Sequence, residues 1–144
     1  MLELDTDGTK QAEHFINAVG EDLSGRLIPA VEVRLRGLYR LLPPDYYEAA
    51  DNLADFCDRI EKQYGVRPVI YCTERTYKNI VASDSRFNKD KIWYESLFSK
   101  PDEDMDWTFW TYTNRVKFSF YESGEYLHMT VFNGSEDDFK KLII

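Results

Sequence analysis

The sequence predicts an α/β fold. It is either a partial (incomplete) TIM-like β/α barrel or an open, mostly parallel sheet, with a C-terminal antiparallel hairpin. Three observations carry this. Helical stripes alternate with short β-rich runs, the pattern of parallel strands joined by helical crossovers. The chain has 144 residues, short of the roughly 200 that a complete β/α barrel needs. Near the C-terminus, two β-rich runs flank Glu122-Ser123-Gly124, a hairpin signal. Hydrophobic residues make up 43% and charged residues 31%, an ordinary composition for one folded domain spanning residues 1–144.

Each element has its own signal. Residues 7–19 read as a helix, with Ala12, Phe15, Ile16 and Val19 on one face and Gly20 at the exit. Leu27 to Val33 is a buried strand; Pro29 lacks an N–H and belongs at its start or on an edge. The strongest helix covers about 44–64, with Pro44 in its first turn and Gly65 at its exit. Val66 to Cys72 is a strand, and Thr73 caps a short helix carrying Tyr77, Ile80 and Val81. Ile92 to Leu97 and Trp107 to Thr113 are further strands. Val116–Tyr121 and Glu125–Phe132 form the expected hairpin. Ser135, with Asp138 three positions on, opens a last short helix.

Composition narrows the function. A net charge of −8 disfavours nucleic acid, whose binding rests on phosphate neutralisation. No apolar run reaches the roughly 20 residues of a membrane span. The start, Met-Leu-Glu-Leu-Asp, shows no signal peptide, which as it stands fits a cytoplasmic protein and leaves localisation open. Cys57 and Cys72 read as small core residues, and with only His14 and His128 beside them they make no metal site. No cofactor is expected. Aromatics reach 15%, so some rings belong on a groove or an interface.

Several segments together resemble one family. Asp7-Gly-Thr-Lys-Gln-Ala-Glu-His-Phe-Ile16, Leu27-Ile-Pro-Ala-Val-Glu-Val-Arg34, Pro68-Val-Ile-Tyr-Cys72, Ile92-Trp-Tyr94, Trp110-Thr-Tyr-Thr113 and Leu127-His-Met-Thr-Val-Phe-Asn-Gly-Ser135 occur in this order. Taken together they resemble the Chalaropsis-type N-acetylmuramidases (lysozymes) of glycoside hydrolase family 25, a bacterial or phage cell-wall setting. The resemblance covers the C-terminal half to two-thirds of the family domain. The family's first strands, with their Asp, have no counterpart in these residues, so it implies an N-terminally truncated, degenerate copy.

It also implies altered chemistry. The family's Asp-x-Glu strand corresponds to Glu32-Val-Arg34, so Glu32 keeps a carboxylate and Arg34 replaces an acid. A guanidinium stays protonated and cannot serve as general acid. His128 stands at a later Asp position, Thr130 at an Asn and Thr111 at a Gln. By resemblance the sugar groove is lined by strands bearing Trp93, Tyr94, Trp107, Trp110 and Tyr112. Substrate contacts are expected from Tyr71, Trp93, Trp110, Tyr112, Arg34 and His128. Strand alternation puts Trp107 and Phe109 on one face and Trp110 and Tyr112 on the other, so at most one set meets the groove.

The expected function is a lysozyme-like domain without hydrolysis, a pseudoenzyme that keeps peptidoglycan or glycan binding. One alternative is an active muramidase pairing Glu32 with Glu95. Another is a protein-interaction or regulatory module, with exposed sheet edges favouring a homodimer. The simpler reading of Glu95 is a solvated strand-end charge. The arginines of Arg34-Leu-Arg-Gly-Leu-Tyr-Arg40 either form an anion-binding groove or neutralise acids such as Glu32, Asp51 and Glu95.

Overall fold

Capping residues set the helices. The Asp7 carboxylate accepts the Lys10 amide and opens α1 (Gly8–Val19). The Asp45 carboxylate accepts the Tyr47 and Glu48 amides and opens α2 (Tyr46–Tyr64). That cap moves the start of α2 past Pro44, because Asp45 satisfies amides that a proline start leaves open. Gly65, at φ +74°, closes α2 by donating its amide to the Glu61 carbonyl, a conformation that favours glycine. The computed structural model describes residues 1–118 and 125–144.

Five strands follow as β1 (Ala30–Val33), β2 (Val69–Thr73), β3 (Ile92–Glu95), β4 (Phe109–Val116) and β5 (Leu127–Phe132). They lie side by side in chain order; the first three pairings are parallel and β4–β5 is antiparallel. The architecture is thus the expected open, mostly parallel sheet with an antiparallel C-terminal pair. Thr73 and Thr76 cap one another across α3 (Glu74–Thr76), which continues as a π-type turn over Tyr77–Val81. Ser135 and Asp138 do the same at α4 (Glu136–Lys140). Single 3₁₀ turns at Gly37–Arg40 and Ser85–Phe87 had no clear sequence signal.

The C-terminal pair differs from the expectation. The sequence pattern separates Trp107–Thr113 and Val116–Tyr121 into two strands, yet β4 runs through Asn114 and Arg115 and itself pairs with β5. The register shifts between Thr111 and Thr113, and again before Val116. Such irregularities let a strand continue where its apolar alternation breaks. The expected turn at Glu122-Ser123-Gly124 lies outside the described residues.

Register decides what each sheet face carries. Val33, Cys72, Tyr94 and Trp110 stand side by side on the face that packs against Ala12 and Ile16 of α1 and Leu53, Cys57 and Ile60 of α2. Ile70, Leu53 and Ile60 are fully buried there. Outside β1, the Leu2 amide donates to the Glu32 carbonyl. A cavity of about 490 Å³ beside it is lined by Phe15, Ala18, Val31 and Phe56. No helix among the described residues is long and apolar enough to cross a membrane.

Both cysteines are buried and unpaired, as expected. Burial pushes the Cys57 thiol up to about 12 and raises Cys72 as well. A raised native pKa means the neutral thiols add stability below their ordinary value near 9, and that this is lost as pH climbs toward about 12. Neither thiol should react with an aromatic disulfide reagent at about pH 8 until the protein unfolds. Rapid labelling of native protein would show that the core opens around them.

Candidate functional site

The second sheet face is the one that can meet a ligand. Register places Glu32 of β1 beside Tyr71 of β2, Tyr71 beside Trp93 of β3, Trp93 beside Phe109 of β4, and Phe109 beside Phe132 of β5. The rings form a continuous row. Tyr71 and Trp93 have centroids 4.9 Å apart, Trp93 and Phe109 5.2 Å, and Phe109 and Phe132 5.3 Å. Phe139 of α4 closes the far end, edge-on to Phe132. Polar groups cross the sheet one residue pair further on. The Trp93 indole donates to Thr111 Oγ1 at 2.9 Å, and Thr111 and Thr130 share a hydroxyl hydrogen bond of 2.8 Å.

A charged cluster ends this row at β1. Arg34 Nε donates to Glu32 Oε1 at 2.8 Å and Nη2 donates to Glu95 Oε2 at 2.5 Å. Nη2 also reaches the Tyr71 hydroxyl at 3.1 Å, and that hydroxyl donates to the same Glu95 oxygen. Arg36 reaches Glu32 at 3.5 Å. Glu95 is not a solvated strand-end charge: its side chain is 9% exposed, held under Tyr71 and Arg34. Burial works against the Arg34 charge, yet the hydrogen bond to Glu95 and that carboxylate's charge hold its pKa above the ordinary value. Burial, then the hydrogen bond to Glu95, raises the Tyr71 phenol, so it stays a donor.

The structure therefore brings Glu32, Glu95, Arg34, Tyr71 and Trp93 together. It does not bring Trp110 and Tyr112 to them. Trp110 packs on the helix-covered core and donates its indole to the Ser96 carbonyl, and Tyr112 packs beside Trp110 on that face. The pleat is the reason: neighbours along a strand point to opposite sides, so Phe109 takes the groove position. His128 lies on β5 as an exposed side chain with no hydrogen bond or ion pair among the described residues. The arginines split. Arg34 and Arg36 neutralise Glu32 and Glu95, whereas Asp51 is held by Arg86. Phe109, Phe132 and Phe139 carry no site signal in the sequence. Only strand register shows that they extend the row.

The sequence profile described as "Glycosyl hydrolases family 25" matches residues 2–119. The chain belongs to glycosyl hydrolase family 25. Among solved structures, it resembles a family 25 glycosyl hydrolase from Bacillus anthracis at TM-score 0.83 and 28% identity, covering 99% of this chain and 65% of that one. The bacterial lysozyme of Streptomyces coelicolor superposes at TM-score 0.72 and 23% identity, covering 96% and 66%. A muramidase from Acremonium alcalophilum does so at 0.71 and 21%, covering 95% and 66%. The chain thus spans about two-thirds of the length of these family 25 structures. No curated protein matches it. Family 25 membership fits the sheet order.

Proposed function

We propose that this family 25 lysozyme-like domain binds peptidoglycan glycan on the Tyr71–Trp93–Phe109 row and does not hydrolyse it. One observation carries the reading: the Arg34 guanidinium bridges Glu32 and Glu95. A glycosidase needs the space between its two carboxyl groups for the anomeric centre, and for water in the inverting case. Here a permanently charged cation fills that space. It cannot donate a proton to a leaving oxygen. Each positioned acid or base commonly contributes about 10²–10⁴ in rate, so replacing one by arginine and tying up the others removes most of the acceleration. The aromatic row survives this change, and ring faces are what a sugar's apolar C–H surface packs on.

A second reading draws on the same convergence. Glu32 and Glu95 meet at one cation beside a phenol donor, so a sugar that displaced Arg34 would find two carboxyl groups. Reducing-end release from purified peptidoglycan separates the two. The expected result is no release above that of a Glu32→Gln, Glu95→Gln double variant; release that the double variant loses establishes the hydrolase. Glycan binding is read from tryptophan fluorescence during titration with peptidoglycan fragments. A change that disappears in Trp93→Leu is expected. An unaltered spectrum at millimolar ligand would sink the binding reading.

A further inference from the structure

A second feature lies beside the aromatic row. A cleft of about 210 Å³ at the C-terminal ends of β1 and β2 is lined by Arg34, Leu35, Arg40, Thr73 and Arg75. Its walls hold three guanidinium groups and no carboxylate, in a chain whose net charge is −8. Arg34 spends Nε and Nη2 on Glu32, Glu95 and Tyr71; its Nη1 makes no hydrogen bond among the described residues. Arg40 and Arg75 form no ion pair among the described residues. The nearest candidate acid along the chain, Glu74, is taken by Lys78 at 2.7 Å. One hydrogen bond, from Arg75 Nη1 to the Arg40 carbonyl at 3.1 Å, ties the two arginine segments together. The fold thus holds Arg40 and Arg75 close together with no carboxylate among the described residues paired to either, beside an Arg34 already paired with Glu32 and Glu95.

We propose that this cleft is a binding site for a phosphoryl oxyanion. Guanidinium forks match tetrahedral and planar oxyanions. Two uncompensated cations match the charge of about −2 on a phosphate monoester better than the single charge of a carboxylate. Several oxygens also let more than one guanidinium donate at once. The cleft shares Thr73 and Arg75 with a wider trough of about 460 Å³ that reaches Leu97 and Phe98, and Phe98 is 99% exposed. A phosphate in the cleft therefore leaves room for a larger body beside it. The phosphate has two possible carriers: a small phosphorylated molecule, or a lipid headgroup. The lipid is worth its own arm because Leu38, Leu41 and Leu42, on the loop bearing Arg40, are 67%, 81% and 63% exposed. The inference does not depend on glycan binding, since the aromatic row lies outside the cleft.

The test is calorimetric titration with inorganic phosphate, with acetate and chloride at matched ionic strength as controls. Saturable phosphate binding is expected, weakened about tenfold in each of Arg40→Gln and Arg75→Gln and little changed by acetate. Arg75→Lys keeps the charge without the fork and should fall between. Both positions are exposed, and unchanged melting of the variants confirms that they fold. In the second arm, vesicles of phosphatidylglycerol and phosphatidylcholine are compared with phosphatidylcholine alone. Arginine-dependent binding to the former only, displaced by phosphate, assigns the phosphoryl group to a lipid. Phosphate binding that does not saturate, that acetate or chloride equals, or that survives Arg40→Gln with Arg75→Gln, together with no arginine-dependent vesicle binding, overturns the proposal. Because peptidoglycan fragments are titrated separately and read at Trp93, failure of one site leaves the other standing.

Discussion

Arg34→Met is expected to lower stability by about 3 kcal/mol, seen as a fall of roughly 10 °C in melting temperature for a domain of this size. The argument is one of stranded charge. Arg34 alone bonds both Glu32 and Glu95, and the Glu95 side chain is only 9% exposed. Methionine keeps the packing of the stem and removes the cation. Two carboxylates are then left on one sheet face, with Arg36 at 3.5 Å from Glu32 as the nearest charge. Removing one partner of a sheltered ion pair costs much more than removing both, because a lone charge keeps its desolvation penalty. Arg34→Met with Glu95→Met should therefore recover most of the loss. Arg34→Lys should recover less, since an ammonium cannot fork two carboxylates and a phenol at once. Thermal and urea denaturation of the four proteins measure this. An Arg34→Met protein that melts with the native one would mean the cluster is a solvated contact of little weight. The same variant probes the chemistry, because it opens the space between the carboxyl groups. Reducing-end release by Arg34→Met that is abolished by adding Glu95→Gln would show that only the guanidinium holds hydrolysis back.

The sequence shows much of this architecture and little of its site, and the reason is register. Helix ends are local: Asp7 and Gly20 frame α1, and Gly65 ends α2 through contacts within a few residues. Strand positions are nearly as local, since β-rich runs mark them. Which face a strand residue shows is not local, because a one-residue slip exchanges the two faces. Trp110 and Phe109 are adjacent in sequence, and only the pairings Trp93↔Phe109 and Tyr94↔Trp110 put the first in the core and the second in the row. Glu95 looks like a solvated charge in the sequence for the same reason. Its burial comes from Tyr71, 24 residues away, and Arg34, 61 residues away. The convergence of Arg75 with Arg40 across 35 residues has no sequence pattern at all. The family resemblance supplied what local reading lacked at β1. By that resemblance Glu32-Val-Arg34 is a site strand, and the ion pairs place its arginine between Glu32 and Glu95.

Gly8→Ala is expected to be at least as damaging, at about 3 kcal/mol or more, although the change adds a single methyl group. Gly8 is the first residue of α1 and is buried. A Cβ at that position would stand 1.8 Å from the Asn52 carbonyl oxygen, 2.7 Å from its carbonyl carbon and 3.0 Å from the Phe56 amide nitrogen. All three are backbone atoms of α2, so no side-chain rotation relieves the clash. The helices must separate, and that opens the interface where Phe15 meets Phe56 edge-on and Ala12, Ile16 and Leu53 share the buried core. Close packing makes even small separations costly, because contacts across the whole interface weaken together. The local backbone argues the other way. Alanine is the better helix former by about 1 kcal/mol, so without the clash the substitution should stabilise the protein. The two accounts therefore predict opposite signs. Asn52→Ala should not rescue Gly8→Ala, since the obstructing oxygen belongs to the main chain. That variant has its own loss, because the Asn52 amide donates to the Leu4 carbonyl at 3.0 Å. Melting of Gly8→Ala, Asn52→Ala and the double variant separates these effects. A Gly8→Ala protein as stable as the native one would mean that α1 and α2 lie farther apart at Gly8 than the structure places them.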